Sequence, residues 1–172
     1  SWEKAGALPS GKTLVVAAPG NLPPPSKRGD VFRQAAVKAL DTLSRNPNGF
    51  FLMIEGSNID KAAHSNNLEE MMEELLDFDR TAGAVLDWAS KHPGTLVVIT
   101  ADHNTGAFAL TGGSREQGEI TGRFGSGSHD GVAVPVYAFG AGSGDFTGIY
   151  ENTDIFNKIM NAFKKGADKP VR

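Results

Sequence analysis

Four short apolar runs, each rich in β-branched residues, alternate with helix-period stripes along this chain. The runs are Thr13–Ala18, Phe50–Ile54, Thr95–Thr100 and Val134–Phe139. A run that is apolar at successive positions suits a strand covered on both faces better than a one-sided antiparallel strand. Between the runs, Val31, Phe32, Ala35, Ala36, Ala39, Leu40 and Leu43 make one helical stripe. Asp30 is placed to cap it, and Asn46-Pro47-Asn48-Gly49 to stop it. A longer stripe runs from Leu68 to Ala89, opening with Glu69, Glu70, Glu73 and Glu74 and closing at Lys91-His92, polarities that suit a helix dipole. A last helix is predicted around Ile155, Phe156, Ile159, Met160 and Phe163, capped by Asn152 or Thr153. This alternation predicts an α/β fold, a mostly parallel sheet with helices on both faces.

The 172 residues are expected to make one α/β domain with a real core, ending in a frayed tail over 166–172. The stretch Gly20–Gly29 reads as a rigid loop, and the glycine-rich Gly106–Gly131 as an edge hairpin or surface excursion. A net charge of −3 gives no electrostatic reason for nucleic acid or an anionic membrane as partner. No apolar run has transmembrane length, and the first residues lack the basic and apolar pattern of a leader. A first residue other than Met points to a processed or truncated chain. The absence of cysteine rules out disulfides and thiolate metal ligands.

Three of the four histidines lie in clusters with metal-ligand character. Glu55 directly follows the second apolar run, and Asp60 and His64 are one helical turn apart. Asp102 and His103 directly follow the third run, at the strand ends where ligands collect in open α/β sheets. His129 sits among glycines just before the fourth. Three carboxylates and three imidazoles suit zinc with a harder ion alongside. Taken singly, each has a plainer reading: Glu55 as a helix cap, Asp60 and His64 as a solvated pair, Asp102-His103 as a loop feature, His129 as a turn residue. Their convergence on one predicted edge favours a site. His92 reads as a helix C-terminal histidine, Arg115 and Arg123 as solvated loop arginines, and Gly140–Gly144 as a loop rather than a phosphate cradle. Ser57 and Ser128 lack the setting of a nucleophile elbow.

The order Glu-Gly-Ser-x-Ile-Asp-x-x-x-His, Thr-Ala-Asp-His, then Ser-His-x-Gly leading into Val-Pro-Val-Tyr-Ala-Phe-Gly resembles the alkaline phosphatase family over residues 44–163. The resemblance implies a phosphate monoester substrate, two zinc ions, one magnesium ion and a phosphoserine intermediate. It implies a first zinc held by Asp60, His64 and His129, a second by Asp102 and His103, and magnesium at Glu55. It also implies a periplasmic or secreted location. Asp130 stands where a threonine is usual in the family. The family's nucleophile context, Asp-Ser before a small residue, occurs nowhere in the chain, and the further upstream ligands and phosphate-clamping arginine have no counterpart. The chain therefore resembles a C-terminal half, inactive alone, with apolar sheet surface that favours self-association or a homodimer. A non-catalytic metal-binding module is the alternative. A related phosphodiesterase or sulfatase is a third reading, less suited to Thr100-Ala101-Asp102-His103.

Overall fold

The computed structural model describes residue 12 and residues 14–167. Its elements run α1 (Pro25–Arg28), α2 (Val31–Leu43), α3 (Ser57–His64), α4 (Leu68–Ser90), β1 (Leu96–Ile99), β2 (Asn104–Thr105), β3 (Ala109–Ser114), β4 (Glu119–Arg123), β5 (His129–Asp130), β6 (Tyr137–Gly140), a 3₁₀ turn (Ser143–Phe146) and α5 (Asp154–Ala167). The α/β class is as read from the sequence.

Strand pairing differs from expectation. The described strands pair only antiparallel, as β1 with β6, β2 with β5 and β3 with β4. The reason lies in the connection: no helix intervenes between Ile99 and Tyr137, so β1 and β6 are not joined by the helical crossover that parallel neighbours need. The first two predicted runs are not strands. Thr13 lies outside the described residues, while 14–18 and 50–54 form no ladder. An apolar run needs a neighbouring backbone before it becomes a strand. Phe51 and Met53 accordingly stay 62% and 75% exposed.

The helices follow their stripes closely. Helix α2 ends before a turn in which the Gly49 amide donates to the Asn46 carbonyl. Asp30 does not cap it through its side chain; its carboxylate pairs instead with Arg33 one turn on. Asn67 caps α4, its side chain accepting from the Glu70 amide at 3.1 Å and donating to the Glu70 carboxylate at 3.2 Å, while its own backbone amide donates to the Ala62 carbonyl. The predicted loop before α2 contains the one-turn helix α1, started by Pro24 and Pro25. Of the tail expected to fray, residues through Ala167 continue α5, and 168–172 lie outside the described residues.

The core nearest the clustered histidines is Ala62, Ala63 and Met71, flanked by Ile59, Leu68, Phe108 and Phe124. Alanines on the inner face of α3 let it lie close on α4, and the Phe108 and Phe124 rings, 4.9 Å apart, seal the side. Gly56 at the start of α3 has no room for a side chain: a Cβ there would stand 2.8 Å from the Phe78 ring. On α4 the buried positions include Glu74 and Asp77, which meet the Arg28 guanidinium.

At the far end, Lys165 reaches the Asp145 carboxylate at 2.6 Å and ties α5 to the 3₁₀ turn. The Lys165 hydrogen bond and charge hold the Asp145 carboxyl below its ordinary value of 3.8, and Arg33 does the same for Asp30. Folded-state values below the unfolded ones mean stabilisation that is present above pH 3.8 and lost as pH falls through the depressed values. The thermal midpoint should therefore hold from neutral pH to about pH 5 and drop below that. Asp145→Asn should make the drop shallower, checked by melting curves across pH.

Candidate metal centre

Helix α3 carries Asp60 and His64 on one face, and β5 brings His129 against them. Asp60 lies 3.5 Å from His64 Nε2 and 3.5 Å from His129 Nε2. The two ring nitrogens are 3.0 Å apart, and ligand atoms of all three residues fall within 4.8 Å of one another. The group is half-exposed, so a small ion can enter from solvent. His64 Nδ1 sits 2.7 Å from the Gly127 carbonyl, which can only accept. Nδ1 therefore carries the hydrogen and Nε2 offers its lone pair toward Asp60 and His129. That is the orientation a ligating imidazole requires.

His103 stacks on His129, ring centroids 3.5 Å apart, and so lies beside this group. Its Nε2 faces the Asp102 carboxylate at 3.2 Å, and Asp102 itself is 85% exposed. Glu55, exposed after the unpaired 50–54 segment, lines a shallow depression with Arg28, Asn58 and Glu74. Among the described residues, the group close enough to share one ion is Asp60, His64 and His129; Glu55, Asp102 and His103 lie outside it. His92 stacks on Trp88 at 3.7 Å and bonds the Trp88 carbonyl, a helix-end role.

Comparison with known proteins gives the family. The alkaline phosphatase family model matches residues 21–123. The chain belongs to the alkaline phosphatase family. It is 31% identical to streptomycin-6-phosphate phosphatase of Streptomyces griseus over 94% of this chain and 41% of that protein. It is 31% identical to the alkaline phosphatase of Escherichia coli K12 over 75% of this chain and 31% of that one. Among solved structures, the alkaline phosphatase of the Antarctic bacterium TAB5 superposes with a TM-score of 0.74 at 40% identity, over 80% of this chain and 42% of that one. A variant of that enzyme with Mg bound in its M3 site superposes with a TM-score of 0.73. The chain thus spans less than half the length of these relatives.

Asp130, next to His129, has a structural use. Its carboxylate accepts from the Asn104 amide at 2.9 and 3.1 Å, from the Ala107 backbone at 2.9 Å and from the Val132 backbone at 3.1 Å. The Val132 and Asn104 bonds, with the Ala107 bond and the nearby His103, hold the carboxyl below its ordinary value. Asp130 therefore fixes β5 against β2 and, through Ala107, a residue at φ 44°. Gly106 beside it has φ +81°, and a Cβ there would stand 2.8 Å from the Phe124 ring and 3.1 Å from the Ala63 carbonyl. Sequence reasoning passed over Thr105, whose hydroxyl donates to Asp60 at 2.6 Å. Its only signal was a place two residues beyond His103.

Proposed function

We propose that this chain is the metal-holding part of a phosphate monoester hydrolase. The observation that carries the reading is the convergence of Asp60, His64 and His129, with the His64 Nε2 lone pair turned inward. Two nitrogens and a carboxylate oxygen, with room left for a further ligand, match zinc's preference for tetrahedral N/O sites. Asp102 and His103 would hold a second zinc, and Glu55, a lone hard oxygen donor, would serve magnesium. When bound, such a pair of ions supplies charge stabilisation to the transferring phosphoryl group.

What the chain's own residues do is bind and orient. Gly127 and the α3 backbone aim His64, β5 aims His129, and the ring stack sets His103 beside them. The 172 residues hold no Asp-Ser nucleophile context, and among the described residues no hydrogen bond joins Ser57, at the first turn of α3, to a base that could activate it. The chain alone is therefore expected to bind metal and turn over little or no substrate. Its working form would be an assembly in which other residues supply the nucleophile and cover exposed apolar side chains such as Phe51, Met53 and Phe139. Self-association, or a homodimer, would cover those apolar side chains, while the nucleophile would have to come from residues other than these 172. An exported location is proposed on the family resemblance. A purely metal-binding module is the second reading, favoured by the presence of ligands without a nucleophile.

The test is an assay of the purified chain on a chromogenic phosphate monoester with zinc and magnesium, beside His129→Ala and Ser57→Ala. The expected result is zinc uptake by the parent chain, weakened in His129→Ala, with turnover near background in all three. Turnover that either substitution abolishes would make the chain a complete enzyme. Absence of zinc uptake would remove the metal reading.

A further inference from the structure

We propose that Thr105 is a positioning residue that couples the two ligand groups and sets which nitrogen His103 offers to a cation. The inference rests on the metal reading above. Thr105 is 8% exposed, at the end of β2, and its hydroxyl touches one residue from each group. Oγ1 lies 2.6 Å from Asp60 Oδ1, a carboxylate oxygen that accepts and does not donate. The single hydroxyl proton is thereby committed to Asp60. The same oxygen lies 3.2 Å from His103 Nδ1 and can serve that nitrogen only as an acceptor. In the neutral imidazole the proton on His103 must then sit on Nδ1, which leaves the Nε2 lone pair facing outward. That lone pair points to Asp102 Oδ2 at 3.2 Å, so two acceptors face each other, an arrangement that a cation between or beside them relieves.

The chain of bonds is directional, from His103 Nδ1–H to Thr105 Oγ1 and from Thr105 O–H to Asp60. Each link fixes the next. Asp60 in turn is the oxygen donor of the group with His64 and His129. One buried hydroxyl therefore holds a carboxylate of the first group in place and selects the tautomer in the second. Its own position is fixed by pairing: Thr105 stands opposite His129 and Asn104 opposite Asp130 in the β2–β5 ladder. Outer partners of this kind typically change metal affinity about 10–100-fold when removed.

Thr105→Val keeps the side-chain shape and deletes the hydroxyl, while Thr105→Ser keeps the hydroxyl and deletes a methyl group. The metal-free proteins would be compared by ¹⁵N NMR of the histidine rings, and zinc uptake by calorimetry. In the parent chain and Thr105→Ser, His103 should show a protonated Nδ1 and a bare Nε2. In Thr105→Val that preference should collapse to a mixture, with zinc affinity about 10–100-fold weaker. An unchanged tautomer in Thr105→Val would overturn the proposal. So would a Thr105→Ser variant that loses the parent tautomer, a result that is decisive even where Thr105→Val fails to fold. A parent chain that shows the predicted tautomer yet takes up no zinc would remove the metal reading and leave the hydroxyl's orienting role supported.

Discussion

Arg28→Ala is expected to destabilise the chain by about 3–5 kcal/mol, the range for breaking a buried charge cluster from one side. Arg28 spends its fork on α4: 2.9 and 2.7 Å to the two Glu74 oxygens, and 3.2 and 2.7 Å to Asp77 Oδ2. Nη1 also donates to the Pro23 carbonyl at 3.0 Å. The three side chains are only 3–5% exposed, so water cannot replace the guanidinium. Burial pulls the Arg28 pKa down, but the bonds to Glu74 and Asp77 outweigh it and the net shift is upward. Removing the arginine leaves two buried carboxylates less than a helical turn apart, with Arg80 on one and Asn58 on the other. Arg28→Lys should recover only part of the loss, because a single ammonium cannot make the forked contact. Urea unfolding with an unchanged slope would measure this, and a loss below about 1 kcal/mol would mean the cluster behaves like a surface ion pair. The effect should reach the candidate centre, since Asn58 links Glu74 to the first turn of α3, two residues before Asp60.

Zinc at a thousandfold excess over its dissociation constant should stabilise the folded chain by about 4 kcal/mol. For a chain of this size that corresponds to a rise in melting temperature on the order of 10 °C. His64→Ala should abolish the rise, because it takes one of three donors and leaves Asp60 and His129 too few to hold the ion tightly. Magnesium alone should not substitute, since two imidazoles suit zinc and not a hard oxygen-seeking ion. Differential scanning with and without each metal decides it. Equal shifts in the parent chain and His64→Ala would move the ion away from this centre.

The parts legible in the sequence were those set by local rules. The α2, α4 and α5 stripes specify their helices, and a spacing of four puts Asp60 and His64 on one face whatever the rest of the chain does. The runs at β1 and β6 were legible as strands, but their direction was not, because an apolar run carries no information about its neighbour. The run at 50–54 shows the same limit more sharply: composition says extended, and only a partner makes a ladder. In the sequence Glu74 reads as one of four acids favouring the start of α4, yet it is buried. A stripe count looks for apolar residues and passes over a carboxylate whose guanidinium lies 46 positions away. Thr105 and the Gly127 carbonyl were missed for a related reason, since each acts on a residue far along the chain.

The excursion between β2 and β5 is closed at its base. Gly106 donates to the Ser128 carbonyl at 2.9 Å, and its own carbonyl receives the Gly125 and Ser126 amides at 2.9 and 3.1 Å. Beyond that knot the β3–β4 hairpin runs out to an exposed turn between Ser114 and Glu119. Lengthening a flexible loop costs little once its ends are tied. The turn is thus a place where whole segments can be grafted or trimmed, adding new recognition surface without loosening the knot at the base.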